Sequence, residues 1–346
     1  MKLPEFFGLD IGSQSIKIAQ AHQKSARSAE LIAIGSKDSI QDLNDFSTTA
    51  VKNELADKIK VIKDASGIVA KKVVAAMPES SIFTRLVMLP DVGEDELEQS
   101  VYYEASQYLP TPVSEVQLDY IPINKVNVEG RNLIRALLVA APKKLAADFM
   151  EIMQLAGLEL IALETETIAT TRALTFKQDF QESVLVLDFG AMGTDISVIK
   201  GRSLIFSQSL GTGSDALSKA IANDFGLEAQ QAEQYKRTYG LVSDQADGKI
   251  ANSLAPVMQV IINEINKTIN YFRAHLQESS PTKILLIGNG AKLPGLNTYL
   301  TQNLGIEAFF VDPVAQLEVS GHLKAELAQL STVGFTVAVG LALKMT

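Results

Sequence analysis

The chain contains no cysteine, so disulfides, a thiolate nucleophile and cysteine-bound metal are all excluded. Histidine is nearly absent too. His22, His275 and His322 stand far apart in sequence, which argues against a histidine zinc site. There is no excess of basic residues. Lys and Arg number 31 against 40 Asp and Glu, a formal net charge of −9, so the basic footprint of a nucleic-acid binder is missing. Long apolar runs are lacking as well. Val333 to Leu343 is too short for the ~20 residues of a membrane span and has no Lys/Arg-rich polar face. At the N-terminus, Pro4, Glu5 and Asp10 interrupt any secretory signal core. No Walker A motif occurs, and Gly288, Gly290 and Gly295 miss the Rossmann glycine spacing. These absences imply a cytoplasmic protein whose membrane association, if any, comes through a partner.

What is present is ample core-forming material. The 346 residues are 47% hydrophobic and 21% charged, enough for roughly two domains at ~150 residues each. Residues 6–11 and 15–21 predict two strands around a Gly-Ser turn, and Lys71–Pro78 a buried strand ended by proline. Asn44–Ile62 predicts a helix with Val51, Leu55, Ile59 and Ile62 on one face. From 80 to 157 the pattern runs strand, helix, strand, strand, helix, a self-contained insertion. Its first helix has an acidic start and a stripe of Leu97, Val101, Ala105 and Tyr108, and its second ends at Gly157. Helices closed by Gly226 and Gly240 follow a second strand-rich region. Ile250–Leu276 predicts a long helix with Pro256 causing a kink or a late start. A strand, a Gly-rich turn and a helix begin at Thr282, and the last helix is expected over Val333–Lys344.

Residues 6–20 and 184–199 repeat one pattern: apolar strand, Asp-x-Gly, small polar turn, second strand. Asp10 and Asp188 lie about half the chain apart, as two duplicated lobes would place them. A hairpin tip of Gly, Ser and Thr exposes backbone N–H groups that suit phosphate oxygens. A carboxylate at the strand end suits a Mg²⁺-bound or attacking water instead. One such hairpin is most simply a turn. Two in different halves can close on one phosphate chain. Ile287–Leu296 is by itself an ordinary strand–helix loop or a backbone seat for a flat purine. Glu233 and Lys236 are a helical i, i+3 pair, a surface ion pair or a contact to ribose and base.

Together these segments resemble the superfamily of actin and the heat-shock chaperone ATPases. "GLDIGSQSIKI" resembles its first phosphate motif, "VLDFGAMGTDISV" its second and "ILLIGNGAKLPGL" its adenosine motif. "ETETIATTRAL" and "TVGFTVAVGLAL" fit its two connecting helices. All five occur in family order over nearly the whole chain. The block "VVAAMPESSIFTRLVMLP…ELEQSVYYEASQYLPTPVSEVQLDY" and the segment from Ser209 to Leu241 resemble the PilM family of type IV pilus assembly. The implied fold is α/β, an actin-like (ribonuclease H-like) duplicated two-lobe ATPase fold with an inserted FtsA/PilM-type subdomain. Its expected division is 1–79, 158–181 and 331–346 for the first lobe and 80–157 for the insertion. The second lobe takes 182–210 and 280–330, and a helical subdomain takes 211–279.

The resemblance implies binding of ATP or ADP with Mg²⁺. Asp10 and Asp188 would act near the metal, through water. Gly12, Ser13, Ser15 and Lys17 would cradle phosphates, and Asp188, Gly190, Gly193 and Thr194 would close from the other lobe. Gly213 and Ser214 would lie at the cleft mouth. Glu233 and Lys236 would meet ribose and base, and Gly288, Gly290 and Ala291 would back the purine. Asp10, Asp188 and Glu164 are the expected catalytic carboxylates. Where the family often has Val-Asp, this chain reads Leu163-Glu164, so ATP binding is expected with slow or negligible hydrolysis, and Glu166 is the alternative for orienting water. The implied partner is the N-terminal cytoplasmic peptide of an inner-membrane PilN-like protein, in a groove between the first lobe and 80–157. Pilus motor or other alignment-complex proteins and a homo-oligomer remain open. An FtsA-like filament former is the alternative, although the amphipathic C-terminal helix usual there is missing. A small-molecule kinase ranks lower, for want of an acceptor carboxylate in 80–157.

Overall fold

The computed structural model describes residues 5–40, 46–128, 130–275, 280–328 and 330–345. The chain opens with an antiparallel meander, β1 (Phe6–Ile11), β2 (Ser15–Ser25) and β3 (Ser28–Asp38). Helix α1 (Thr49–Ala65) follows. The Thr48 hydroxyl accepts the Val51 N–H at its start, a cap of the kind worth about 1 kcal/mol. The expected start at Asn44 lies outside the described residues. Strand β4 (Lys72–Met77) then lies parallel to β1.

The next block contains β5 (Phe83–Pro90), α2 (Glu94–Tyr108), β6 (Val116–Val128) and β7 (Arg131–Pro142). Its antiparallel sheet has the order β5-β7-β6. Leu97, Val101 and Ala105 of α2 cover Val87, Leu89, Ala136 and Leu138 of this sheet. The next helix, α3 (Lys143–Leu155), behaves differently from expectation. Its Phe149, Ile152 and Met153 are buried with Leu55 and Ile59 of α1 and with Leu9 and Val73, in the core of the first sheet. Each such side chain stabilises by about 1.5–3 kcal/mol, so this apolar stripe anchors to the first lobe rather than to the small sheet. Strand β8 (Glu159–Thr165) returns beside β4, in parallel.

Helix α4 (Glu166–Leu174) leads into a second meander of β9 (Phe180–Phe189), β10 (Thr194–Gly201) and β11 (Ser203–Leu210). Three helices follow, α5 (Ser214–Phe225), α6 (Ala229–Tyr239) and α7 (Lys249–His275). The last runs on through Pro256, and the expected terminus at Leu276 lies outside the described residues. Strands β12 (Lys283–Ile287) and β13 (Glu307–Phe310), joined through α8 (Leu296–Leu304), complete the second sheet. Strand β14 (Glu318–Val319), two residues long, crosses back to pair with β3 of the first sheet. After α9 (Lys324–Leu327), the expected C-terminal helix is split. A 3-10 turn over Thr332–Phe335 precedes α10 (Thr336–Ala342).

The two large sheets have orders β14-β3-β2-β1-β4-β8 and β11-β10-β9-β12-β13. Each is an antiparallel meander whose first strand takes a parallel neighbour on its other side, so one plan is used twice. Helices α4 and α10 cross between them. A Cβ at Gly340 would overlap the Ala169 carbonyl, so only glycine permits this crossing. Among the described residues no single helix is long and apolar enough to cross a membrane.

Candidate nucleotide cleft

The turn between β1 and β2 is closed by the Gly12 N–H donating to the Ser15 carbonyl at 3.1 Å. In this ladder Asp10 stands opposite Lys17. Residues paired across antiparallel strands share a face, and the Lys17 Nζ lies 3.3 Å from Asp10 Oδ2, both side chains buried.

The turn between β9 and β10 is built the same way, with the Gly190 N–H donating to the Gly193 carbonyl at 2.9 Å. Here Asp188 faces not a lysine but Asp195. This turn is stapled to the start of α5. The Ser214 N–H donates to the Gly190 carbonyl and the Asp215 N–H to that of Ala191, both at 2.9 Å, and Thr194 Oγ1 donates to the Thr212 carbonyl at 2.6 Å. Gly288 follows β12, beside Asp188, with φ of 84°. A side chain there would be strained and would strike Asp188 Oδ1, so the third turn approaches the second only because it is glycine.

The three turns enclose a cleft of about 450 Å³, within the ~300–1,000 Å³ of ordinary ligand sites. Of the expected residues, Asp10, Gly12, Ser13, Ser15, Lys17, Asp188, Gly190, Gly193 and Gly288 line it. Thr194, Gly213, Ser214, Gly290 and Ala291 do not line it. Glu233 and Lys236 form a pair at 2.7 Å, and the Lys236 Nζ donates to the Ser214 carbonyl at 3.0 Å, so the two brace α5 rather than line the cleft. Burial would raise the Glu233 carboxyl, but bonds from Lys236, Ser218 and Arg237 bring it down to about 2.

Glu164 is placed elsewhere. It forms two bonds with Arg172, at 2.8 and 2.9 Å, and one with Lys344, and it does not line the cleft. Thr165 caps α4 by accepting the Ile168 N–H, which leaves Glu166 in the first turn, facing the cleft. Glu166 Oε2 accepts the Glu79 N–H at 2.8 Å. The Glu79 carboxylate is itself buried between the hydroxyls of Thr167 and Ser207.

Sequence reasoning missed Asp195, Gln14 and Asn289. The last two join the lobes across the cleft mouth. Gln14 Nε2 donates to Asp215 at 3.1 Å and Asn289 Nδ2 to Ser15 Oγ at 3.5 Å. Asp195 was open to inference, since a hairpin pairs each residue with its mirror image about the turn.

The cleft floor is strongly acidic. Burial, then Asp10, raises the Asp188 carboxyl to about 6, with Lys17 opposing. Burial and Asp188 raise Asp195 to about 8. Glu166 is pushed up by burial and by Asp195 and Asp10. Carboxylates held this way bind either protons or a cation. Among the described residues no three Asp, Glu or His side chains stand close enough to hold an ion directly. The arrangement fits a hydrated Mg²⁺ contacted through water, which would neutralise phosphate charge between the turns.

Two duplicated sheets, two crossing helices and paired glycine-rich hairpins around one cleft define the actin-like ATPase fold. MreB5 of Spiroplasma citri, solved with ADP, shares it with a TM-score of 0.53 at 14% identity, over 97% of this chain and 94% of that one. The chain belongs to the family of the type IV pilus assembly protein PilM, whose model matches residues 8–346. A solved PilM-PilN type IV pilus biogenesis complex is similar over 98% of both chains, with a TM-score of 0.86 and 28% identity. The cell division protein FtsA of Streptococcus pneumoniae is 23% identical, over 87% of this chain and 74% of its own length.

Proposed function

We propose that this chain is an actin-like, nucleotide-binding scaffold of type IV pilus assembly. It binds ATP or ADP with Mg²⁺ in the cleft and holds the N-terminal cytoplasmic peptide of an inner-membrane PilN-like protein, which keeps it peripheral to that membrane. The peptide groove lies between the first lobe and the inserted block at 80–157, on the side of its small sheet of β5, β6 and β7, in a four-part division like that expected from the sequence except that α3 packs on the first lobe. The observation that carries the nucleotide reading is the pair of facing turns, one with a lysine beside its carboxylate and the other with carboxylates alone. Lys17 and the turn N–H groups would take phosphate oxygens. Asp10 and Asp188 would orient metal-bound water. Hydrolysis is slow or negligible, because Glu164 is committed to Arg172 and Lys344. Glu166 alone is left to place water from α4.

Calorimetric titration tests this. Mg²⁺-ATP should bind, and Asp10→Asn should weaken it by about tenfold, or 1.4 kcal/mol, with the fold intact by circular dichroism. Unchanged affinity would refute the assignment of the first turn. A synthetic N-terminal peptide of a PilN-like protein should bind the full chain. If it does not, the scaffold role fails while the nucleotide site stands.

A further inference from the structure

The outer face of α2 has no role in the cleft. Its inner stripe is buried on the small sheet, but Tyr102 and Tyr103 are 57% and 66% exposed. The helix carries Glu94, Asp95, Glu96, Glu98 and Glu104 and no basic residue. Among the described residues, Asp95, Glu96, Glu98 and Glu104 form no ion pair and Tyr102 and Tyr103 no ring contact, although nearby Asp91 is paired with Lys125. Helical spacing sets Glu98 one turn before Tyr102 and Gln99 and Ser100 one turn before Tyr103. Tyr103 also shares a shallow hollow with Pro90, Glu96 and Glu104.

We propose that this face docks an arginine-rich segment of a protein partner. A guanidinium stacks on an aromatic face and bonds a carboxylate in its plane, which an ammonium does less well. The same helix already holds such a contact. Arg85 lies over the ring of Tyr108 at 3.7 Å. Tyr102 and Tyr103 present the same surface to solvent, beside carboxylates that lack a cation. The excess of negative charge selects a basic occupant over an anionic lipid surface or a nucleic acid. The proposal is independent of nucleotide binding.

The test uses the full chain and a labelled, short arginine-rich peptide, followed by fluorescence anisotropy at about 0.15 M salt. The peptide should bind, its lysine counterpart more weakly, and its glutamine counterpart not at all. Tyr102→Ala combined with Tyr103→Ala should weaken the arginine peptide by about tenfold without lowering the melting temperature, since both rings are exposed. Absence of binding would overturn the proposal. Equal affinity for the tyrosine variant would reduce the face to unspecific charge attraction. If the wild-type chain self-associates in sedimentation and the tyrosine variant does not, the occupant is a second copy, and the proposal fails.

Discussion

The two hairpins of the cleft share a backbone plan and differ in charge. In the first, register puts Asp10 opposite Lys17, a buried pair of opposite sign. In the second, the equivalent position puts Asp188 opposite Asp195, two acids whose neighbourhood raises both. Duplication thus preserved geometry and let the electrostatics diverge. One lobe keeps a cation fixed at its turn, where an anion can meet it. The other holds negative charge that only protons or a cation can relieve. A phosphate chain carrying a divalent ion complements both at once, which neither hairpin could do alone.

The largest effect is expected from breaking the neutral side of this comparison. Lys17→Ala leaves Asp10 buried without its partner, and removing one member of a buried pair costs about 3–5 kcal/mol. Urea unfolding should show a loss near the lower end of that range, because the pair borders the cleft. Adding Asp10→Asn should restore most of it, since the uncompensated charge then disappears. If the double variant is no more stable than Lys17→Ala, the pair is not what holds this hairpin.

A smaller effect tests the acidic side. Asp188 and Asp195 bind protons near pH 6 and 8 in the folded chain, against about 3.9 when unfolded. Between these limits the folded state holds more protons, so these two groups stabilise fully below about pH 4 and lose that contribution as pH rises toward 8. Glu166 is raised too and acts with the same sign. Without nucleotide, melting temperature should therefore fall from pH 5 to pH 8. Asp195→Asn should flatten the slope and stabilise the chain at pH 8 by about 1 kcal/mol. A profile that rises over this range would contradict the burial and crowding of these carboxylates.

Both hairpins were legible in the sequence because their signal is local, an Asp-x-Gly and small residues between two apolar runs. The stripe of α2 was legible for the same reason, through its helical period, except that Tyr108, expected on it, is exposed beneath Arg85. Features set by long-range pairing were not. Helix α3 has an ordinary amphipathic pattern, and nothing in it says that its stripe meets α1 and the first sheet. Strand β14 is two residues long and exists only because β3 offers it an edge. The choice between Glu164 and Glu166 depends on where β8 ends and which face each residue takes. Pairing with β4 places Glu164 opposite Ala76, the last strand residue but one, and the Thr165 cap then starts α4 at Glu166.

That choice yields the smallest predicted effect and the sharpest discrimination. Glu164 sits outside the cleft between Arg172 and Lys344, whereas Glu166 shares the cleft with Asp10, Asp188 and Asp195 and is raised by burial and then by these carboxylates. Glu164→Gln should leave Mg²⁺-ATP affinity within about twofold, well under 1 kcal/mol, even if it loosens the contact between α4 and the C-terminal helix. Glu166→Gln removes one negative charge from the crowded floor and should alter the Mg²⁺ dependence of nucleotide binding at unchanged fold. Calorimetry at two Mg²⁺ concentrations separates the two. If Glu164→Gln changes the metal dependence and Glu166→Gln does not, the carboxylate that completes the acidic side has been misassigned, and the contrast between the hairpins must be redrawn with Glu164 on it.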